Sequence, residues 1–117
     1  MEAAITGRNW ERIRMASNQV TVLARIKAKP GLEQQVAEAL TALVQPTRSE
    51  AGCINYDLHQ SFDDKTLFML YENWTSKKDL DEHLNMPYLR TFLSKAEDVL
   101  AQPVEITLWE MTTQVEK

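Results

Sequence analysis

Two proton-carrying side chains and an indole occur close together in the stretch YENWTSKKDLDEH. Glu72 and Trp74 should share one side of a predicted strand, because side chains alternate along a strand with a period of two. His83 follows on the apolar face of a predicted helix, between Leu80 and Leu84, so its ring should point back at the sheet. A carboxyl group and an imidazole that meet in an apolar cleft are suited to general acid–base catalysis.

Aromatic side chains are expected to line the same cleft. The candidates are Trp74, Tyr56, Phe68 and Phe92. Their rings would stack on a small ring-shaped ligand and exclude water from it. A structural interpretation stays open, in which Glu72 and His83 share a buried hydrogen bond and the aromatic residues only fill the core.

Two hydrophobic periods predict the elements that position these residues. Alternation predicts strands in VTVLARIKAK, CINYDLHQSF, TLFMLYENW and VEITLWEMTT, with Ile54 and Tyr56 on one face of the second. Three-to-four spacing predicts a helix disturbed near its end by Pro46, and a second helix that Pro87 breaks in two. The order β-α-β-β-α-β predicts an α+β ferredoxin-like fold, with both helices on one face of an antiparallel sheet.

The other face of the sheet is expected to be apolar and covered. Its predicted side chains are Leu67, Met69, Tyr71, Leu23, Trp109 and Met111. A second copy of the sheet is the economical cover for such a face, so a homodimer is expected.

The N-terminal segment MEAAITGRNWERIRMASN does not follow this pattern. Residues 1–18 are interpreted as an extension in which Thr6 caps a short helix that carries Trp10. Residues 19–117 are expected to form one compact domain.

Composition and charge exclude several classes of function. The net charge of -4 argues against nucleic acid as a partner, because phosphate binding needs clustered Lys and Arg. Three glycines allow no phosphate-binding loop, and no apolar run is long enough for a membrane span. The single cysteine, Cys53, fits a reducing compartment, so a cytoplasmic location is expected.

A metal site is not expected, although the chain has two histidines. His59 alternates in phase with Cys53 and away from Tyr56, and no motif spacing pairs it with His83. Asp79 and His83, four residues apart on a helix, are more typical of an ordinary side-chain pair.

Three motifs carry a family resemblance. They are GCxxY ending at Tyr56, FxxxExW ending at Trp74, and HLxxP beginning at His83. In order and spacing they resemble the antibiotic biosynthesis monooxygenase domain family, and within it the small quinol monooxygenases. The likeness runs from about Val20 to Met111.

The resemblance implies a homodimer whose two ferredoxin-like sheets form an α/β barrel, with an active site between helices and sheet in each subunit. It implies that Glu72 and His83 are catalytic. It further implies that the substrate-binding residues are Trp74, Tyr56, Phe68 and Phe92. The implied reaction is oxidation of a small quinol or phenolic aromatic by O2, with no cofactor and no metal.

Other branches of the family catalyse different reactions. Its haem-degrading members place a ligating histidine about ten residues after the position of His83. This chain has Phe92, Leu93 and Ser94 there and no histidine. Haem chemistry is therefore not expected. An isomerase or degrading enzyme of a small hydroxy-carbonyl signal molecule stays open, as does a non-enzymatic ligand-binding dimer.

Overall fold

The computed structural model describes residues 18–113. Its strands are β1 (Val20–Lys27), β2 (Cys53–Gln60), β3 (Leu67–Trp74) and β4 (Glu105–Glu110). Its helices are α1 (Glu33–Arg48), α2 (Lys77–Leu84), α3 (Pro87–Ser94) and α4 (Ala96–Val99). No helix in this part of the chain is long and apolar enough to cross a membrane. The helix expected around Thr6 and Trp10 lies outside the described residues and stays a prediction.

The four strands form one antiparallel sheet in the order β2-β3-β1-β4. This order and the helices on one face confirm the ferredoxin-like α+β fold. The register places Glu72 of β3 directly between Val22 of β1 and Tyr56 of β2. Three neighbouring strands therefore present this row of side chains to the helices.

The core lies between this inner face and the helices. As the period predicts, the side chains of β3 that point inward are all buried: Phe68, Leu70, Glu72 and Trp74. Helix α1 packs on the sheet through Val36, Leu40 and Leu43, and α2 through Leu80. Apolar burial on this face is the main stabilising contribution.

Helix α1 continues through Pro46 and ends at Arg48, so the proline does not stop it. Pro46 removes one backbone hydrogen bond of the last turn. Arg48 ties that turn to β2 instead, because its Nε donates to the Tyr56 carbonyl oxygen (3.1 Å) and its Nη2 to Asp57 Oδ1 (2.8 Å). The disturbance expected from Pro46 is therefore limited to this missing hydrogen bond, and the helix keeps its course to Arg48.

A β-bulge interrupts the alternation of β2 near its start. Cys53 pairs with Trp74 and Asn55 pairs with Asn73, so Ile54 is the extra residue. Ile54 is consequently 51% exposed, and Cys53 packs against the core. The expectation that Ile54 shares the inner face with Tyr56 was wrong for this reason.

The second helical region consists of three pieces, where two were expected. Ser76 caps α2, its Oγ accepting a hydrogen bond from the Asp79 N–H at 3.2 Å. Met86 is extended (φ -68°, ψ 142°), as a residue before proline prefers, and Pro87 starts α3. A further break at Lys95 separates the short α4.

The turn from α1 to β2 lies tightly against the start of α2. The Thr75 N–H donates to the Gly52 carbonyl oxygen at 2.9 Å. A Cβ atom on Gly52 would lie 2.4 Å from the Cβ of Asp79, so only glycine fits here. This close approach brings the residues of the turn next to the helix that carries His83.

The outer face of the sheet carries the expected apolar side chains. The register places Leu23, Leu67, Met69, Tyr71 and Trp109 on it. Tyr71 is 40% and Trp109 55% exposed. Met111 follows directly after β4 and is exposed as well.

Candidate active site

A cavity of about 50 Å³ lies between the inner face of the sheet and the helices. Four of the six predicted site residues line it: Tyr56 from β2, Glu72 from β3, His83 from α2 and Phe92 from α3. The rest of the wall is aliphatic, with Leu40, Leu70, Leu80 and Leu89 among its side chains. Two ionisable groups and two aromatic rings thus meet in an otherwise apolar space.

Glu72 is buried and has one strong hydrogen-bond donor. Trp74 Nε1 donates to its Oε1 at 2.9 Å. Burial raises the pKa of Glu72 to about 7, the Trp74 hydrogen bond opposes the rise, and the charge of Glu50 adds to it. Near neutral pH this carboxyl group therefore exists in both protonation states, which suits a group that gives and takes protons.

The ring of His83 is fixed by two aromatic neighbours. Its centroid lies 4.6 Å from that of Trp74, with 32° between the planes. It lies 5.6 Å from the Tyr56 ring in an edge-on arrangement. The His83 side chain is only 3% exposed, so its orientation is set by packing.

The carboxylate bonded to His83 is Glu50, and not Glu72, the carboxyl group that was expected to meet His83 in the cleft. His83 Nδ1 lies 2.9 Å from Glu50 Oε2, and the Tyr88 hydroxyl donates to the same oxygen. The Glu50 side chain is 8% exposed. Glu72 is bonded to Trp74 and shares only the cavity with His83.

The hydroxyl and thiol groups near the site keep their protons at neutral pH. Burial, then the negative charge of Glu72, raises the pKa of Tyr56 far above its usual value. Burial and the interaction with Glu50 raise the pKa of Tyr88 in the same way. Burial also raises the pKa of Cys53 to about 11, so its thiol is a poor nucleophile.

Two predicted site residues do not line the cavity. Phe68 is 2% exposed and packs in the core towards the other end of β3, paired across the sheet with Ile26 and Gln60. Trp74 is fully buried. It packs against His83 and donates to Glu72, so it contacts two residues of the cavity wall without lining the cavity itself.

Glu50 and Tyr88 were missed by the sequence reasoning. Glu50 lies in an irregular turn, where no hydrophobic period marks its direction. Tyr88 directly follows Pro87, the last residue of the HLxxP motif, and that motif is the nearest sequence signal to it. Neither residue stands at a spacing that would pair it with His83.

A larger surface groove of about 460 Å³ adjoins the cavity between α1 and α3. Its lining includes Ala39, Tyr88 and Lys95. Leu43 and Phe92 border both spaces, so these two side chains form the partition between the groove and the inner cavity.

The described residues offer no ready metal site. Among residues 18–113, no three His, Cys, Asp or Glu side chains are placed to share an ion. His59 pairs with Met69 on the outer face of the sheet, on the opposite side from His83.

The fold and site together define a ferredoxin-like domain with a buried histidine–carboxylate pocket between sheet and helices. The sequence profile of the family described as "Antibiotic biosynthesis monooxygenase" matches residues 19–95. The chain belongs to this family.

Individual proteins are similar to this chain over most of its length. The Mycobacterium tuberculosis protein named "Putative monooxygenase Rv0793" is 34% identical over 92 residues, which are 79% of this chain and 90% of that protein. The Synechocystis protein sll1783 is 31% identical over 86% of this chain and 69% of its own length. The crystal structure of PA3566 from Pseudomonas aeruginosa superposes with a TM-score of 0.79 at 36% identity, covering 84% of this chain and 98% of that one.

Proposed function

We propose that this protein is a cofactor-independent monooxygenase that oxidises a small quinol or phenolic aromatic with O2. The observation that carries the proposal is the position of His83. Its buried ring borders an apolar cavity, is bonded through Nδ1 to Glu50, and has no hydrogen bond at Nε2 from residues 18–113. Family membership supports the monooxygenase class of chemistry.

His83 is proposed as the base that starts the reaction. O2 reacts slowly with molecules whose electrons are all paired, so the substrate must become electron-rich before it can reduce O2. Removal of a phenolic proton by Nε2 of His83 produces such an anion. Phenols titrate near pH 10, well above the usual pKa of histidine, so the proton transfer is uphill. The imidazole of His83 must therefore be held beside the substrate hydroxyl.

Glu72 is proposed as the second proton carrier. Its neutral form donates a hydrogen bond to a substrate oxygen, and its ionised form accepts a proton later in the cycle. In the overall reaction a quinol and O2 give a hydroxyquinone and water. One oxygen atom enters the ring, the other leaves as water, and the quinol supplies all four electrons.

The aromatic residues are proposed to hold the substrate ring. Phe92 and Tyr56 line the cavity, Trp74 packs against His83 and Glu72, and Phe68 lies in the core further along β3. A cavity of about 50 Å³ is smaller than an aromatic ligand needs, since ligand pockets usually have volumes of about 300–1,000 Å³. Entry of a substrate therefore requires the walls to move, and Leu43 and Phe92, which also line the groove, are the side chains proposed to do so.

A homodimer is part of the proposal. The outer face carries Tyr71 and Trp109, both largely exposed, beside the partly buried Leu23 and Met69. A second copy of the same face would bury these side chains. Residues 19–117 as one domain, residues 1–18 as an extension and a cytoplasmic location also stay predictions.

One alternative enzyme activity uses the same residues. An isomerase or degrading enzyme of a small hydroxy-carbonyl signal could shuttle protons between His83 and Glu72, because both line the cavity and Glu72 changes its protonation near pH 7. Such a reaction consumes no O2. A non-enzymatic ligand-binding dimer would bind an aromatic molecule without turnover.

Oxygen uptake with a menadiol-type hydroquinone separates these functions. The rate is measured against an enzyme-free blank, because quinols oxidise slowly by themselves. The proposal expects uptake above the blank that falls by about 10²–10⁴-fold in His83→Ala. The matched control is His59→Ala, which removes the other histidine, an exposed side chain near the end of the edge strand β2. Uptake equal to the blank for the unaltered protein contradicts the proposal.

A further inference from the structure

The Glu50 carboxylate is a buried group that takes no direct part in the proposed proton transfers. It lies in the turn between α1 and β2, yet its side chain is 8% exposed. Its Oε2 lies 2.9 Å from His83 Nδ1 and also accepts a hydrogen bond from the Tyr88 hydroxyl. Three elements of the fold therefore meet at one oxygen atom.

The backbone holds Glu50 in place from both sides. Its N–H donates to the Thr47 carbonyl oxygen at 3.0 Å, and its own carbonyl oxygen accepts from the Cys53 N–H at 3.1 Å. The hydrogen bond from the Thr75 N–H to the Gly52 carbonyl oxygen, together with the close approach of Asp79 to Gly52, holds this turn against the start of α2. The same helix carries His83, so the carboxylate and the imidazole stand on two segments that are hydrogen-bonded to each other.

The acceptor character of a carboxylate decides which nitrogen of His83 carries the proton. A carboxylate cannot donate, so the Nδ1 of His83 and the hydroxyl of Tyr88 must both be donors to it. In a neutral imidazole with a proton on Nδ1, Nε2 has the free lone pair. The rings of Trp74 and Tyr56 pack against the imidazole, with centroids 4.6 Å and 5.6 Å from its own, and oppose a flip of the ring.

We propose that Glu50, with Tyr88 as a second donor, is the positioning residue that holds His83 in the Nδ1–H tautomer and directs Nε2 at the cavity. This inference rests on the proposed role of His83 as the base. Glu50 does not touch the substrate and acts through His83. When Nε2 takes a proton, the resulting imidazolium is already paired with a buried carboxylate, so no unpaired charge is created in the core.

The tautomer can be read directly by nuclear magnetic resonance. Protein with isotope-labelled histidine nitrogens is titrated to the alkaline end, where the neutral ring reveals its tautomer, and His59→Gln assigns the signals of His83. The proposal expects one species, protonated at Nδ1, in the unaltered protein. A ring of His83 protonated at Nε2 overturns it. This measurement needs neither a substrate nor a folded variant at position 50.

Glu50→Gln tests the positioning role itself. A carboxamide can donate to Nδ1, so the variant should lose the single Nδ1–H species. Its kcat for quinol oxidation should fall by about 10²-fold or more with little change in KM, because a wrong tautomer in the Ser-His-Asp triad costs about 10⁴-fold. The control is Glu82→Gln, which makes the same change at an exposed position on α2, the helix that carries His83.

The outcomes distinguish this inference from the proposed function. If the unaltered protein consumes no O2, the proposed function fails, while the spectra of the unaltered protein and Glu50→Gln still test the tautomer. If Glu50→Gln keeps both the Nδ1–H species and its kcat, the positioning role is overturned even though the protein is an oxygenase.

Discussion

The indole Nε1 of Trp74 donates a hydrogen bond to Oε1 of Glu72 at 2.9 Å, on the buried side of β3. The two residues are neighbours on that side because side chains alternate along the strand. This single donor does not offset the loss of water around the carboxylate, so the pKa of Glu72 is raised to about 7. The protonation of Glu72 therefore affects both stability and chemistry near neutral pH.

Glu72→Gln should make the protein more stable than the unaltered chain above pH 7. A raised pKa means that the folded state favours the neutral acid, a contribution fully present below about pH 4.5 and lost as the pH rises through about 7. Glutamine imitates the neutral acid at every pH. Between about pH 5 and pH 8 the stability difference should move in favour of the variant by about 2 kcal/mol. Urea unfolding at several pH values measures it.

The control for this experiment is Glu82→Gln, which removes one charge from the exposed face of α2. A stability difference between Glu72→Gln and the unaltered protein that stays constant from pH 5 to pH 8 would show that Glu72 titrates normally. Its proposed role as a proton donor near neutrality would then be wrong.

Phe92→Ala should widen the range of substrates. Phe92 and Leu43 separate the cavity of about 50 Å³ from the groove of about 460 Å³. Truncation joins the two spaces and removes a stacking surface for small rings. The ratio of kcat/KM for a two-ring quinol to that for a one-ring quinol should rise about tenfold. Steady-state oxygen uptake with both substrates measures this ratio.

Thr91→Ala is the matched control, because Thr91 lines the groove on the same helix but not the cavity. An unchanged substrate ratio in Phe92→Ala would place the entrance elsewhere.

Trp109→Glu should separate the proposed dimer. Trp109 is 55% exposed on the outer face, where a second sheet would bury it, and a buried unpaired charge is strongly unfavourable. Light scattering should give a mass of twice 13.5 kDa for the unaltered chain and 13.5 kDa for the variant. Phe62→Glu is the control, since Phe62 is 92% exposed in the connection between β2 and β3. A monomeric unaltered protein would refute the dimer.

The periodic parts of the fold could be predicted from the sequence. The alternation of TLFMLYENW placed Glu72 and Trp74 on the buried side of β3, and the structure agrees. The position of His83 between Leu80 and Leu84 correctly directed it at the sheet. Both results follow because burial on one face imposes a regular spacing on a strand or a helix.

The departures from regularity could not be predicted in this way. The bulge at Ile54 inserts one residue into the pairing of β2, and no residue type in the sequence marks its position. The Glu50–His83 contact joins residues 33 apart in the chain through an irregular turn. Periodicity cannot detect such a pair, so the carboxylate expected beside His83 was the one on the regular strand, Glu72.

The most direct test of the central claim is a single-turnover reaction of a hydroquinone with isotope-labelled O2, analysed by mass spectrometry of the organic product. The account predicts one labelled oxygen atom in each hydroxyquinone molecule, the other in water, and loss of this product in His83→Ala but not in His59→Ala. A product without label, or labelled product formed equally well by His83→Ala, would contradict it.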